Sequence, residues 1–153
     1  MGGGQQQLQQ LSQELEELDN EIAEEEARID ELREEKAGVD DAIEAIETLD
    51  SGSTVQVPLG GGAYVRAEVQ DIDEVIVDLG GGYAAEQAQG DAVDALESKK
   101  DSLDDRISDV REEISGLEEE TAELEQRAQQ MQQQMQQQQM QQMQQMQDED
   151  GGE

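Results

Sequence analysis

Cysteine, histidine, phenylalanine and tryptophan are all missing from this 153-residue chain. Without cysteine there is no disulfide and no thiolate chemistry, which suits an intracellular protein. Without either cysteine or histidine, most metal sites and most activated nucleophiles lose their parts. The aromatic side chains are Tyr64 and Tyr83 alone. Rings supply much of the buried area of a globular core, so a large core is not expected. Positive charge is scarce as well: 9 Lys and Arg stand against 41 Asp and Glu, for a formal charge of −32. Phosphate recognition needs clustered Lys and Arg, so nucleic acid is excluded as a partner. An anionic membrane surface is repelled for the same reason. No apolar run reaches the 18 residues of a membrane span. The opening MGGGQQQL has neither the apolar stretch of a signal peptide nor the Ser or Thr at position 6 of a myristoylation site. A cytoplasmic protein is expected.

The carboxylates that are present do not gather into a site. They recur along solvated helix faces. DIDEVIVDLG, residues 71–80, lacks the ligand spacing and central Gly of an EF-hand. The Gly triplets at 60–62 and 80–82 are followed by no Lys-Ser or Lys-Thr, so they are not phosphate loops. No enzyme, metal or cofactor is expected. What the charge does imply is a salty environment. A net charge of this size strains a compact chain in dilute buffer, whereas in molar salt the Debye length falls to about 3 Å and the repulsion is screened. The competing reading, a disordered acidic chain, conflicts with the periodicity that follows.

Apolar residues alternate in steps of three and four from Leu8. Leu8, Leu15, Ile22, Ile29 and Ile43 take heptad a positions, and Leu11, Leu18, Leu32, Val39 and Ile46 take d; Glu25 (d) and Lys36 (a) interrupt them. A second series begins at Val93 and runs through Leu96, Leu103, Ile107, Val110, Ile114, Leu117 and Leu124 to Met131 and Met135, with Lys100, Thr121 and Ala128 also at a. Nearly six heptads exceed the three or four that mark a coiled coil. Each helix of about 40 residues would be roughly 60 Å long. Each has one apolar stripe and needs a partner along it. The pattern divides the chain into a helix over 5–50, a β insert over 51–87, a helix over 88–135 and a Gln/Met-rich tail over 136–153 whose order the residues leave open.

The insert is Val-rich with period-two alternation. Val55, Val57 and Leu59 share one face; Val65, Ala67 and Val69 share another. Each Gly triplet reads as a hairpin turn, because Gly tolerates positive φ. Pro58 donates no ladder hydrogen bond, which marks its strand as an edge. A four-stranded sheet of this size is weak alone, so its valines call for another subunit.

A compact insert makes the two helices antiparallel. One register sets Leu8 against Met131, Ile22 against Leu117, Ile29 against Val110 and Leu32 against Ile107. It also matches five arginines with acids: Glu26–Arg111, Arg33–Asp104, Arg28–Glu113, Glu35–Arg106 and Glu14–Arg127. Shifts of one heptad either way bring arginines together. Lys36 and Lys100 lie on the seam, where their ammonium groups reach out to nearby acids. In this register Met135 faces Gly4, and Met140, Met143 and Met146 face no helix. Methionine is flexible and polarizable, suited to surfaces that accept many shapes. The competing reading is a frayed, low-complexity tail without a task.

A long helix, hairpins carrying PLGGGAYV and VIVDLGGG, and a long return helix resemble the alpha-type subunits of the archaeal prefoldin family, in a halophile-like acidic form. The resemblance covers nearly the whole chain, and the paired hairpins carry it, since heptads are unspecific. It implies a mainly α fold: an antiparallel coiled-coil hairpin with two β-hairpins between the helices. It implies a hexamer of two alpha and four beta subunits, the hairpins joined as β-barrels in a platform. It implies an ATP-independent holdase that grips non-native proteins at the coiled-coil ends and passes them to a group II chaperonin. The assembly residues would be Val55, Val57, Leu59, Tyr64, Val65, Val69, Val75, Val77, Leu79 and Tyr83. The client-binding end would comprise Leu8, Leu11, Met131 and Met135. Met140, Met143 and Met146 lie in a tail longer and richer in Gln and Met than the family pattern, so their contact with clients is read from the residues. The alternative function is a coiled-coil scaffold or spacer without clients.

The charge makes salt the first test. The isolated chain is expected to lose helicity in dilute buffer and to regain it in molar KCl by circular dichroism; equal helicity in both would contradict this reading of the −32 charge.

Overall fold

The computed structural model of the chain describes residues 2–150. The elements follow in the order α1 (Gly2–Thr48), β1 (Thr54–Gly60), β2 (Ala63–Glu68), β3 (Val75–Gly80), β4 (Tyr83–Gln87) and α2 (Gln89–Asp150). This is the mainly α architecture with a small β insert that the sequence implies. The helices form because Leu, Glu, Gln, Arg and Ala dominate both segments and proline is absent from them. α2 continues past residue 135, beyond which the sequence leaves the order of the tail open, as far as Asp150. Gln and Met propagate a helix well, and no Gly interrupts before Gly151. Residues 151–153 of the expected tail lie outside the described residues.

The chain divides into two compact units. One combines Met1–Arg28 with Val110–Glu153, and its described residues, 2–28 and 110–150, are all helical. Within it Leu18, Ile114 and Leu124 are buried, and Leu8, Leu11, Leu15, Ile22, Leu117, Thr121, Ala128, Met131 and Met135 are half-buried. The heptad assignment thus holds residue by residue. Gly4 lies against Met135: a Cβ at Gly4 would stand 3.4 Å from the Met135 Sδ. That contact is the one the antiparallel register requires.

The other unit spans Ile29–Asp109. Its core combines Ile29, Leu32 and Val39 from α1 with Ala92, Leu103 and Ile107 from α2, and takes Val77 from β3. The β insert forms two separate two-stranded sheets, β1 with β2 and β3 with β4, instead of one four-stranded sheet. Both turns have the same construction. Gly61 and Gly62 have φ of 61° and 83°, Gly81 and Gly82 have φ of 64° and 82°. Positive φ at both central residues is the geometry whose twist matches that of paired strands. A register shift precedes each turn, at Pro58/Gly60 and Asp78/Gly80. The pairing also corrects the assignment of faces. Val55 opposes Ala67 and Val57 opposes Val65, so these side chains share one face of the first hairpin.

A polar junction joins the hairpins to the helices. The Gln89 side-chain amide donates to the carbonyls of Ile46 (2.7 Å) and Leu49 (3.1 Å) at the end of α1. Asp73 accepts from the Gln89 backbone N–H at 3.4 Å, and Ser51 Oγ accepts from the Ile72 N–H at 3.1 Å. Terminal helix carbonyls have no partner within their own helix, so the first residue of α2 closes the last turn of α1. Gln89→Ala removes both donors from a part-buried site. It is expected to lower unfolding free energy by about 1 kcal/mol in urea titrations in molar salt, with helicity otherwise retained.

Candidate functional site

Two surfaces are left apolar and uncovered. The first belongs to the hairpins. All four strands are edges of two-stranded sheets, and each edge presents unpaired backbone donors and acceptors. The expected assembly residues divide by exposure. Val77 is buried, and Val55, Val69 and Val75 are half-buried. Val57, Leu59, Tyr64, Val65, Leu79 and Tyr83 are exposed, the last at 77%. Val77 is therefore a core residue that pins the second hairpin to the helices. Together with Leu79, Ala95, Ser98, Ser102 and Leu103 it lines a cleft of about 380 Å³. The small side chains at 95, 98 and 102 leave α2 low enough for the hairpin to approach.

Ile76 was missing from the expected set, yet it is 69% exposed beside its cross-strand neighbour Glu86. The signal that finds it is the unbroken run Val75-Ile76-Val77, since three consecutive apolar residues make both faces of a strand apolar.

The second surface lies in the helical unit. Leu8, Leu11, Met131 and Met135 are half-buried because they occupy a and d positions of the seam. They are covered by the opposite helix. Met140, Met143 and Met146 are each 71% exposed. Residues 128–147, which carry them, contain no charged side chain. The expected client-binding end thus comprises a packed half and an open half.

Charge is arranged differently from the sequence expectation. The ion pairs formed among the described residues are Lys36 Nζ–Asp104 Oδ1 and Lys100 Nζ–Asp40 Oδ1, both 2.6 Å. Each helix supplies a lysine and an aspartate four residues later, and the pairs are reciprocal. The lysines do reach out from the seam to acids. The five arginine pairs do not close. Asp104 is taken by Lys36 rather than Arg33. For exposed long side chains the gain is only about 0.2–1 kcal/mol, which rotamer entropy offsets. Hydrogen bonding to Asp40 raises the Lys100 pKa against a smaller opposing effect of desolvation.

Glu25 is the acidic interruption of the seam. It is half-buried, and its Oε2 is enclosed without a hydrogen-bond partner. Desolvation, and then the facing carboxyl of Glu113, raise its pKa above the ordinary carboxylate range.

Comparison with known proteins places this geometry. The prefoldin subunit family model matches residues 18–145. The chain is 72% identical over 102 residues to the prefoldin subunit alpha of Halorubrum lacusprofundi, covering 67% of this chain and 67% of that protein. It is 60% identical over 96 residues to the prefoldin subunit alpha of Haloarcula marismortui, covering 63% of this chain and 62% of that protein. The matched stretch therefore spans about two thirds of these relatives. Among solved structures, a chain of the filamentous PFD from Methanocaldococcus jannaschii, determined by cryo-EM, is similar with a TM-score of 0.51 and 27% identity. That match covers 76% of this chain and 93% of the other. No helix among the described residues is long and apolar enough to cross a membrane.

The raised pKa of Glu25 sets a pH dependence of definite sign. A carboxyl that holds its proton more tightly when folded stabilises the fold below its unfolded pKa, and that contribution is lost as pH rises through the folded value. Glu25→Gln is therefore expected to raise the thermal midpoint at pH 7 in molar salt. The gain should shrink as pH falls towards 4.5 and the wild-type side chain takes up its proton. A gain that is constant with pH would show that charge at Glu25 is not the cause.

Proposed function

The chain belongs to the prefoldin family, among the alpha-type subunits of halophilic archaea, and on that premise we propose that it is a holdase subunit whose exposed methionines grip non-native proteins without ATP. The single observation that carries this reading is the open half of the helical end. Three flexible thioethers, each 71% exposed, stand on an uncharged stretch of helix, within residues 128–147, in a chain of charge −32. An apolar segment of a misfolded protein meets there neither a desolvation penalty for carboxylates nor a rigid shape to match. In molar salt the contact also gains strength, because salts excluded from the surface favour apolar burial.

The hairpins serve assembly in this proposal. Two-stranded sheets with both outer edges free and with Val57, Leu59, Ile76 and Tyr83 exposed suit β-sheet extension by neighbouring subunits. We assign those neighbours to a hexamer of two alpha and four beta subunits in the cytoplasm. The held client passes from it to a group II chaperonin. The role is binding, with no chemistry. The alternative, a coiled-coil scaffold with idle ends, shares the hairpins and differs at the methionines.

Deletion of residues 136–153 leaves every seam position in place and removes Met140, Met143 and Met146. In the complex with beta-type subunits, the shortened chain is expected to assemble normally by native mass spectrometry and to suppress aggregation of a denatured client several-fold less well. Undiminished suppression would favour the scaffold.

A further inference from the structure

Resting on that reading of the helical end, we propose that Met140, Met143 and Met146 form a reversible oxidation site, at which a hydroperoxide switches off the grip while the coiled coil stays folded. The chain has no cysteine, so thioethers are its only oxidisable sulfurs. Five of its six methionines fall between 131 and 146. Their surroundings sort them into two classes. Met131 and Met135 are half-buried in the seam, and the Met135 sulfur lies against Gly4. The other three are 71% exposed on one helix at successive spacings of three residues. That spacing sets them side by side in an oblique stripe on the helix surface.

The reaction balances without help from the chain. A sulfur lone pair attacks the distal oxygen of the hydroperoxide, the O–O bond breaks and an S–O bond forms. The thioether loses two electrons to give a sulfoxide, and the peroxide leaves as water or an alcohol. Reduction by a methionine sulfoxide reductase consumes two thiols and returns the thioether with a disulfide and water. This chain lacks thiols, so the reductant comes from outside.

Placement separates a switch from damage. Sulfoxide formation makes a flexible apolar side chain polar and chiral. At Met135 it would place a dipole inside the seam, against Gly4. At the three exposed positions, each 71% open to solvent, it displaces no packed neighbour, so the helix persists while its apolar stripe is lost. A neutral hydroperoxide is not repelled by the −32 charge of the chain, so it reaches the exposed sulfurs freely.

The test uses the full chain assembled with its beta-type partner in molar KCl and hydrogen peroxide as probe. Peptide mass spectrometry is expected to find Met140, Met143 and Met146 oxidised at least about fivefold faster than Met131 and Met135, with helicity unchanged. Suppression of client aggregation should fall several-fold over the same time course and recover with reductase and thiol. The triple variant Met140→Gln, Met143→Gln, Met146→Gln should show the same loss before any peroxide and none after it. Equal oxidation of all five methionines overturns the site. Full suppression by the oxidised chain, or a further peroxide-dependent loss in the triple variant, overturns the switch. If the unoxidised complex holds no client, the holding function itself fails, and the order of oxidation alone then decides whether the site exists.

Discussion

Burial of one apolar seam has to outweigh the self-repulsion of 41 carboxylates, and each other feature of the chain is arranged around that contest. Fully burying a Leu, Ile or Val side chain contributes about 1.5–3 kcal/mol. An exposed ion pair contributes about 0.2–1 kcal/mol. The seam is therefore decided by its leucines, isoleucines and valines, and the surface charges only modulate it. The two ion pairs that do close lie where the seam itself is charged, at Lys36 and Lys100. Elsewhere among the described residues no arginine closes an ion pair with an acid.

The same constraint sets apart the two exposed apolar surfaces. The hairpins carry apolar residues outward on strands with free edges, while the helical end carries them on an uncharged stretch. Both are places where acidic residues are sparse or absent. In a chain so acidic, the apolar surfaces left exposed are those from which charge has been withdrawn. Glu25 is the exception that costs the seam a layer: enclosed, without a hydrogen-bond partner at Oε2, and facing Glu113.

Much of the fold could be read from periodicity. The apolar a and d positions from Leu8 to Ile46 and from Val93 to Met135 are buried or half-buried without exception, because a heptad repeat is a direct record of one-sided burial. The Gly triplets located both turns, because few other residues adopt positive φ twice in succession. Less was legible wherever the outcome depended on partners distant in sequence. The division into two separate sheets, the burial of Val77 and the Gln89 bridge to Ile46 and Leu49 all arise from contacts that no local pattern records. The arginine pairs failed for another reason: the free energy of closing an exposed ion pair is close to zero. At the helical end, the heptad itself divided the methionines, since Met131 and Met135 keep the repeat and the later three leave it.

The reciprocal bridges Lys36–Asp104 and Lys100–Asp40 have one more consequence. Lysine followed four residues later by aspartate is written identically on both helices, so the clasp is self-complementary. An α1 helix meeting a second α1 head to tail would find the same two bridges waiting. Nothing in their chemistry tells a sister helix from a stranger. Discrimination must come from tethering, because the β insert holds α2 beside α1 at an effective concentration in the millimolar range, far above that of any competitor in free diffusion. The insert thus acts as the chaperone's matchmaker within a single chain before it meets any neighbour.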